Sequence, residues 1–435
     1  MKILLLGNGG REAIIAKKLG DNAELYSIAK YKNETINQCV EKTGGKLYIG
    51  SPFDNELVRS VLVNEKIDLC FVNNDDLLAN GAIDVARELN IKTFGPTKKG
   101  ARIEWDKEYS LHLVEKLMPE LLIQTFYIKT IEDLDKAVSN FDGTDFVVKP
   151  NGLTGGKGVK VGGEHFFSKE EGYEYAKECL TSDGVVIIQE KIEGREFTIM
   201  GFTDGDKVIP APVTYDYPYR FDDDKGPGTG GMGCFSCKNS LLPFITEEDY
   251  KVCVSLMEKT IKAVNKDSYE FNGVINGGFF KTKKGIRFME FNARLGDPEA
   301  LNVLTAMETE FLNLVEEVAS RKEISKSICA FKETNTYVVY LVSKNYALAK
   351  KVIDKDTFSL NLKPASDINF YYSSCYKEQG DVFKMAGNSR LCAIVSSGDD
   401  MKAVKEKVDA YIKENVTDPA LDYRTDIASI ALVSM

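Results

Sequence analysis

The stretch that most constrains the fold of this chain runs from Asp145 to Val161 and reads DFVVKPNGLTGGKGVKV. A short apolar strand ends at Lys149, a glycine-rich loop follows, and strand-like alternation resumes at Val159. Because glycine permits close backbone approach and positive φ, successive N–H groups of such a loop can converge on an anion. The pattern predicts a β-hairpin with an anion-binding tip, formed by Gly152, Gly155, Gly156, Lys157 and Gly158. A mobile surface hairpin without a ligand is the alternative.

This loop differs from the P-loop of nucleoside triphosphatases. That motif places Ser or Thr after its Gly-Lys pair and continues into a helix. Here Gly158 follows Lys157, and a strand comes next.

Length and charge narrow the class of protein. The 435 residues predict about three domains, and a net charge of −10 argues against a surface for nucleic acid or anionic membranes. No apolar run approaches the ~18 residues of a membrane span. Nine cysteines, an odd number, suit a reducing compartment. We therefore expect a soluble, cytoplasmic monomer that acts on small molecules, with neither nucleic acid nor a membrane as partner.

The N-terminus has the pattern of a doubly wound α/β unit. An apolar strand, Lys2–Leu6, leads through a glycine turn to a helix at Arg11–Leu19. The dinucleotide fingerprint is incomplete, because Glu12 stands where its third glycine would fall. The turn, which contains Gly9, is therefore either a phosphate site or a structural turn. A third strand at Ile67–Val72 ends in polar residues that include Asp75, where open α/β sheets bind ligands.

A predicted strand at Val185–Gln189 leads to Glu190 and Ile192. Exposed backbone groups at such a strand exit can read the edge of adenine, and Glu196, just beyond, could hold ribose hydroxyls. Upstream, Lys107 lies in a predicted helix that ends near Met118.

A second glycine-rich loop spans residues 222–233, DDDKGPGTGGMG. Its five glycines and one proline exclude a helix or a regular strand. The Thr-Gly-Gly turn favours an oxyanion cradle over a linker. Cys234 and Cys237 have C-x-x-C spacing, but no second pair supports zinc, so we interpret them as ordinary thiols.

The segment GIRFMEFNARLGDPE, residues 285–299, predicts a metal site. Strand alternation would place Glu290 and Asn292 on one face, with Met289 and Phe291 on the other. Two oxygen donors at this spacing suit Mg²⁺. After about residue 330 the sequence reads as a separate α+β unit without an obvious catalytic cluster.

Five of these motifs together resemble the ATP-grasp ligases, specifically the glycinamide ribonucleotide synthetase (phosphoribosylamine–glycine ligase) family. They are GNGGRE (Gly7–Glu12), FGPT (Phe94–Thr97), KPNGLTGGKGV (Lys149–Val159), GPGTGGMG (Gly226–Gly233) and EFNARLGDPE (Glu290–Glu299). The resemblance implies an α/β and α+β multidomain protein. Its domains would be a Rossmann-like pre-ATP-grasp domain at 1–103, an ATP-grasp domain at 104–328 with a mobile lid at about 123–193, and a C-terminal α+β domain at 329–435.

The resemblance also implies roles for individual residues. ATP would be bound by Lys107, Lys149, Gly152, Gly155, Gly156, Lys157, Gly158, Glu190, Ile192 and Glu196. Mg²⁺, or Mn²⁺, would be held by Glu290 and Asn292. Substrates would be bound by Gly9, Asp75, Asp216, Thr229, Gly230, Gly231 and Arg294. Catalytic roles would fall to Arg294, Asp297 and Lys149.

The implied reaction is ligation of glycine to 5-phosphoribosylamine through glycyl phosphate, which yields glycinamide ribonucleotide, ADP and phosphate in de novo purine biosynthesis. The substrate side departs from the family pattern at three places, namely Ala13, Asp75 and the segment from Tyr215 to Arg220. A related ATP-grasp ligase with a different acid or amine therefore remains the alternative.

Overall fold

In the computed structural model, which describes residues 1–20, 22–155 and 158–433, the chain begins with a parallel five-stranded sheet. Its strands are β1 (Lys2–Leu6), β2 (Glu24–Ala29), β3 (Leu47–Ile49), β4 (Leu69–Val72) and β5 (Lys92–Phe94), in the order β3-β2-β1-β4-β5. The helices around it are α1 (Gly10–Leu19), α2 (Glu34–Thr43), α3 (Asn55–Asn64), α4 (Asp75–Ala79) and α5 (Ala82–Glu88). The doubly wound prediction is confirmed.

Two details of this first sheet differ from the prediction. The strand expected third is the fourth, because the short β3, with two half-buried residues and one exposed residue, precedes it. It begins at Leu69 and not at Ile67. The polar run after β4 also begins a helix, since the side chain of Asn74 accepts the N–H of Leu77 as a cap. With only three residues, β3 is too short to show an alternating pattern in the sequence.

A four-stranded antiparallel sheet with its own apolar core follows. After α6 (Arg102–Trp105) and α7 (Lys107–Leu117) come β6 (Thr125–Ile128), α8 (Ile131–Ser139), β7 (Phe146–Pro150), β8 (Lys160–Val161), α9 (Lys169–Asp183) and β9 (Val186–Glu190). The sheet order is β6-β9-β7-β8, and Val147 pairs with Val161, so the predicted hairpin is confirmed. Its core, which includes Phe146 and Phe166, is separate from the other two hydrophobic clusters.

The remaining strands are β10 (Arg195–Thr203), β11 (Val208–Pro210), β12 (Thr214–Asp216), β13 (Tyr219–Phe221), β14 (Lys225–Gly228), β15 (Gly233–Ser236), β16 (Gly273–Thr282), β17 (Gly285–Asn292), β18 (Asn335–Ser343), β19 (Thr357–Ser359), β20 (Ile368–Tyr372), β21 (Cys375–Gln379), β22 (Val382–Met385), β23 (Cys392–Gly398) and β24 (Leu421–Asp422). The remaining helices are α10 (Glu247–Val264), α11 (Glu299–Ala306), α12 (Phe311–Ala319), α13 (Met401–Asn415) and α14 (Ser429–Val433).

One large sheet joins the middle of the chain to its C-terminal part. Its strand order is β17-β16-β10-β12-β15-β18-β23-β20, with β11 beside β10 and β24 beside β18. The junction is the antiparallel pair β15–β18, in which Gly233 lies opposite Val339. All nine residues of β18 are buried, so this strand is covered on both faces and needs neighbours on both sides. The C-terminal unit is therefore less separate than the sequence predicted.

The second glycine-rich loop contains a regular element that we did not expect. Its residues Lys225–Gly228 form β14, which pairs with β13 across a register shift. The side chain of Arg424, only 2% exposed, binds Asp224 at 2.7 Å and the carbonyl of Tyr219 at 3.0 Å. The C-terminal segment thus orders a ribbon that its own sequence would leave flexible.

Two expectations about composition can be compared directly with the structure. All nine cysteines are buried and none forms a disulfide within the described residues, which agrees with the interpretation of Cys234 and Cys237 as ordinary thiols. Within the described residues, no helix is long and apolar enough to cross a membrane.

Candidate active site

The predicted metal face lies on the paired strands β16 and β17. Glu290 stands opposite Gly278, and Asn292 stands opposite Asn276, so both oxygen donors share one face of the sheet. The expected strict alternation from Arg287 to Phe291 is wrong, because the register shifts by one residue at Met289. Phe288 and Phe291 are consequently both buried on the opposite face. The bulge leaves the i, i+2 spacing of the two donors intact.

The residues present fit a hard divalent cation. Within the described part of the chain, no cluster of three or more His, Cys, Asp or Glu side chains could hold a metal. Mg²⁺ nevertheless needs only one or two protein carboxylates when water and phosphate supply the other oxygens. The half-buried Glu290 and the amide oxygen of Asn292 are such donors.

Two lysines face this metal site from neighbouring elements. Lys107 is the first residue of α7, which Asp106 caps by accepting the N–H of Tyr109, and Lys149 lies in β7. The Nζ of Lys107 donates to the carbonyl of Gly152 at 2.7 Å. Burial lowers the pKa of both ammonium groups, while the nearby carboxylate of Glu290 partly offsets this effect. The structure therefore brings both predicted phosphate-binding lysines to the metal face.

The glycine-rich tip lies above these lysines. Gly155 has φ +58°, in the left-handed region, and a Cβ at Gly158 would lie 2.6 Å from the Thr154 side chain. Glycine is therefore favoured at both positions. Gly156 and Lys157, which we also predicted to contact phosphate, lie outside the described residues.

The predicted adenine and ribose contacts lie around the end of β9. The N–H of Glu190 donates to the Gln124 carbonyl at 3.1 Å, and its carboxylate accepts the Gln124 N–H at 3.0 Å. Neither the N–H nor this carboxylate oxygen of Glu190 is therefore free to contact the adenine ring. Ile192 lies half-buried in the irregular segment that follows β9. Partial withdrawal from water raises the pKa of Glu196 to about 7, with Lys149 acting in the opposite direction.

Arg294 is held between two acidic side chains from separate parts of the chain and the neighbouring amide of Asn292. Its Nη2 lies 2.9 Å from Glu104, 4.0 Å from Asp75 and 3.3 Å from the side-chain oxygen of Asn292. Its Nε is buried without a hydrogen-bond partner among the described residues. A buried donor without an acceptor is costly, so this atom is suited to an anionic ligand.

Glu104 was not predicted from the sequence. Its second oxygen accepts the N–H of Ala293 at 2.8 Å, so this carboxylate fixes the turn that carries Arg294. Burial raises the pKa of Glu104 to about 7, and Arg294 opposes the shift. The only sequence signal was its position three residues before Lys107.

The C-terminal part contributes directly to the site, contrary to the expectation that it holds no functional cluster. Asp297 accepts the hydroxyl of Tyr340 at 2.8 Å and the Nη2 of Arg390 at 2.9 Å, one on each carboxylate oxygen. Nη1 of Arg390 also donates to the carbonyls of Gly230, Gly231 and Asp297. With both oxygens engaged, Asp297 is an organising group and does not have the geometry of a free general base.

The Thr-Gly-Gly turn does not offer the free N–H groups of an oxyanion cradle, so that part of the prediction is wrong. The N–H of Thr229 donates to Pro218, that of Gly230 to the hydroxyl of Tyr346, and that of Gly231 to the hydroxyl of Thr229. Arg390, from the C-terminal part, donates hydrogen bonds to the carbonyls of Gly230 and Gly231. The loop is therefore held rigidly beside Asp297.

The first glycine turn is likewise bonded within the protein. The N–H of Gly9 donates to Glu12 at 2.8 Å, and that of Gly10 to the side chain of Ser373 at 3.0 Å. A Cβ at Gly9 would lie 3.9 Å from Asp297, so the turn borders the site. These contacts favour the structural interpretation for both N–H groups. The Glu12 side chain also fills the space over Gly7 that a dinucleotide would need.

The altered segment before the second glycine loop is largely structural. Arg220 is 1% exposed and binds Asp422 at 2.8 Å and the carbonyl of Tyr346 at 3.3 Å. Tyr217 is also buried. Asp216 alone points toward the site, beside Gly231. The departures at these positions therefore do not by themselves indicate a different substrate.

Comparison with known proteins agrees with this arrangement. The family model for the phosphoribosylglycinamide synthetase N domain matches residues 1–104, and the model for the ATP-grasp (A) domain of the same family matches residues 106–300. A phosphoribosylamine–glycine ligase from Methanopyrus kandleri is 37% identical over 98% of this chain and 96% of its own length.

Solved structures show the same fold. A phosphoribosylamine–glycine ligase from Thermotoga maritima has a TM-score of 0.79 and 22% identity, with 98% of this chain and 100% of that chain covered. The biotin carboxylase domain of Hydrogenobacter thermophilus 2-oxoglutarate carboxylase, solved with MgADP, ADP and bicarbonate, has a TM-score of 0.72 and 14% identity, with coverage of 100% and 93%. The chain thus has an ATP-grasp fold and belongs to the phosphoribosylglycinamide synthetase family.

Proposed function

We propose that this chain is an ATP-dependent ligase that joins glycine to 5-phosphoribosylamine through a glycyl phosphate. Its products are glycinamide ribonucleotide, ADP and phosphate, within purine biosynthesis. Full-length similarity to phosphoribosylamine–glycine ligases supports the substrates. The observation that carries the chemistry is the buried Nε of Arg294, which has no hydrogen-bond partner among the described residues and lies beside an oxygen-donor face and two half-buried lysines.

The reaction has two steps, and neither needs a protein nucleophile. A glycine carboxylate oxygen attacks the γ-phosphorus of ATP, ADP leaves, and an acyl phosphate forms. The amine of phosphoribosylamine then attacks the acyl carbon, and phosphate leaves with its bonding electron pair. Phosphoryl transfer of this kind depends on positioning and on neutralisation of charge. The residues of this site supply both.

The described residues divide these tasks. Lys107 and Lys149 bind the phosphates, while Arg294 orients the acyl group. A divalent cation, Mg²⁺ or Mn²⁺, held by Glu290 and Asn292, would supply further neutralisation of phosphate charge. Ile192, the carbonyl of Glu190, and Glu196 are proposed to contact adenosine.

The subdomain at about 123–193 is proposed to act as a lid over the nucleotide. Its separate apolar core supports movement as a unit within the ATP-grasp domain at 104–328, between an N-terminal domain at 1–103 and a C-terminal domain at 329–435. Closure would keep water from the acyl phosphate. The proposal also includes action as a cytoplasmic monomer without nucleic acid.

A ligase with another acid or amine is not favoured. Asp75 still approaches Arg294 at 4.0 Å, and Arg220 is occupied by structural contacts. The relatives that share the full length of this chain are phosphoribosylamine–glycine ligases.

The test is ADP release with MgATP and glycine, with and without freshly generated phosphoribosylamine. We expect release that requires both substrates, with glycinamide ribonucleotide as the product. Absence of release with this pair, together with tight binding of MgATP, would contradict the proposed substrates.

A further inference from the structure

A side-chain hydrogen bond joins the proposed lid to the ribbon formed by β13 and β14. The hydroxyl of Tyr219, in β13, donates to the Oε2 of Glu164 at 3.0 Å. Glu164 lies in the turn that follows β8, within the lid. Because the lid has an apolar core of its own, this bond connects two parts of the molecule that pack separately. Movement of the lid away from the ribbon would break it.

The turn that carries Glu164 is fixed to the glycine-rich hairpin. The carbonyl of Val161, in β8, accepts the N–H of Glu164 at 3.2 Å and that of His165 at 2.8 Å. The N–H of Val161 in turn donates to the Nδ1 of His165 at 3.2 Å. Val161 pairs with Val147 across the hairpin whose tip lies above the phosphate-binding lysines. The position of Glu164 is therefore tied to the position of that tip.

The other end of the bond is fixed to the Thr-Gly-Gly turn. The carbonyl of Pro218 accepts both the N–H and the hydroxyl of Thr229, each at 2.7 Å. Tyr219, the next residue, lies opposite Gly228 in the ribbon, and its carbonyl accepts Nη1 of Arg424 at 3.0 Å. The Tyr219 side chain therefore projects from a backbone that is held against the turn beside the acyl site.

The bond is suited to repeated opening and closing. The side chain of Glu164 is 41% exposed, and its Oε1 lies 3.4 Å from the Nζ of Lys191, which also donates to the Gly162 carbonyl at 2.7 Å. Tyr219 is half-buried. When the bond opens, Glu164 keeps Lys191 as a partner, and water reaches both oxygen atoms that separate. Opening therefore leaves neither group buried and unpaired, which would be costly.

Electrostatic effects place this contact near the proposed ribose residue. Partial withdrawal from water is the largest cause of the raised pKa of Glu196, and Glu164 is among the carboxylates that add to it. Burial, together with the carboxylate of Glu164, raises the pKa of Tyr219. The hydroxyl consequently stays protonated at neutral pH and remains a hydrogen-bond donor.

We infer that Tyr219 and Glu164 form a latch that holds the proposed lid over ATP and couples its closure to the Thr229–Gly231 turn. Tyr219 is a positioning residue, since it acts on the nucleotide only through the hairpin that Glu164 follows. It belongs to the segment from Tyr215 to Arg220 that departs from the family pattern, and the latch gives this departure a role in lid closure. This inference rests on the proposed function, which supplies the nucleotide and the lid.

The test measures how fast the nucleotide leaves the full chain. A fluorescent purine analogue of MgATP with unmodified ribose and phosphates is displaced by excess ATP in a stopped-flow experiment, without glycine, so that no turnover occurs. Tyr219→Phe removes only the hydroxyl. We expect its dissociation rate constant to rise by about 3- to 10-fold, as for a charged hydrogen bond that is partly exposed to water. The unfolding midpoint should stay at the wild-type value.

Two further measurements separate a latch from a general structural effect. Glu164→Ala should raise the dissociation rate constant by a similar factor, and the double variant should dissociate no faster than the faster single variant, because both changes remove the same contact. In the wild type, the analogue should also slow amide hydrogen exchange in the Thr229–Gly231 turn. In Tyr219→Phe this slowing should be lost.

Tyr173→Phe is the matched control. The hydroxyl of Tyr173, in α9, donates to Asp135, in α8, at 2.8 Å, so this tyrosine–carboxylate bond lies wholly within the lid. The variant should leave the dissociation rate constant unchanged. An unchanged rate constant in Tyr219→Phe would overturn the latch, as would an equal rise in Tyr173→Phe or multiplicative effects in the double variant.

Failure of the latch and failure of the proposed function give different results. If the wild type does not bind the analogue, the proposed function fails and the latch fails with it. Binding by the wild type, with dissociation that neither Tyr219→Phe nor Glu164→Ala accelerates, defeats only the latch.

Discussion

Arg390→Lys tests whether the C-terminal part completes the active site. The guanidinium of Arg390 binds Asp297 at 2.9 Å, donates to three loop and turn carbonyls, and stacks 4.7 Å from the ring centre of Tyr340. A lysine keeps the positive charge, but its single ammonium group cannot reproduce the hydrogen bonds that the two Nη atoms of the guanidinium group make. If it loses two of the four polar contacts, each worth about 1.5 kcal/mol or more, the free energy of unfolding should fall by about 3 kcal/mol.

Activity should fall with the geometry. Without the guanidinium group, Asp297 and the Thr229–Gly231 loop are no longer linked through residue 390. A misplacement of reacting groups by about 1 Å can lower the rate by about 100-fold. We therefore expect kcat/KM for phosphoribosylamine to drop by about that factor, with little change in the Kd of MgATP. Urea unfolding followed through the single tryptophan, Trp105, and steady-state kinetics measure the two effects.

Arg321→Lys is the control for this experiment. Arg321 stacks on Tyr269 at 4.3 Å from the ring centre but lies exposed on another part of the surface. It should leave the unfolding midpoint and kcat/KM nearly unchanged. If Arg390→Lys has a wild-type unfolding midpoint and a kcat/KM within 2-fold of wild type, the reasoning about the C-terminal part is refuted.

Three further predictions concern other parts of the site and its frame. Glu290→Ala should abolish ADP formation with little change in the unfolding midpoint, because it removes a half-buried metal ligand and no core contact. Near wild-type turnover in this variant would show that the metal site is elsewhere. Glu104 has a folded pKa of about 7 against an ordinary value of 4.5, so its ionisation destabilises the fold progressively as pH rises through that window. Relative to Glu104→Gln, the wild type should therefore lose up to about 3 kcal/mol of stability between pH 5 and pH 8, and a pH-independent difference in urea unfolding would contradict this. Arg424→Leu should lower the free energy of unfolding by about 3–5 kcal/mol, because it leaves Asp224 and Asp426 without their buried partner. Lys262→Leu, which breaks an exposed ion pair, should lower it by under about 1 kcal/mol. Equal unfolding midpoints for the two variants would contradict this prediction.

Local signals predicted the local structure well. The boundaries of β1 and the end of α7 near Met118 were predicted from patterns that lie within a few residues of each other. The hairpin around Gly155 follows in the same way, since the positive φ and the two short strands are encoded in one stretch. An element of secondary structure can be predicted from the sequence where the residues that determine it are neighbours in the chain.

The determinants that were missed act across long sequence distances. Arg390 reaches Gly230 from 160 residues away, and nothing in its neighbourhood marks it as part of a site. The expected oxyanion cradle was wrong partly for the same reason, because the hydroxyl of Tyr346, from the C-terminal part, accepts the N–H of Gly230, while Pro218 and Thr229 accept the other two N–H groups. Composition shows that a loop has suitable N–H groups, but only the fold shows which of them remain free.

The path of a carboxylate oxygen of glycine tests whether the reaction passes through glycyl phosphate. Glycine labelled with ¹⁸O in its carboxylate would be turned over with MgATP and phosphoribosylamine, and the released phosphate and the product would be examined by mass spectrometry. We expect one ¹⁸O atom in each molecule of phosphate and one in glycinamide ribonucleotide, because phosphate leaves the acyl carbon with one labelled oxygen. Unlabelled phosphate, with the second labelled oxygen released as water, would contradict the glycyl phosphate route.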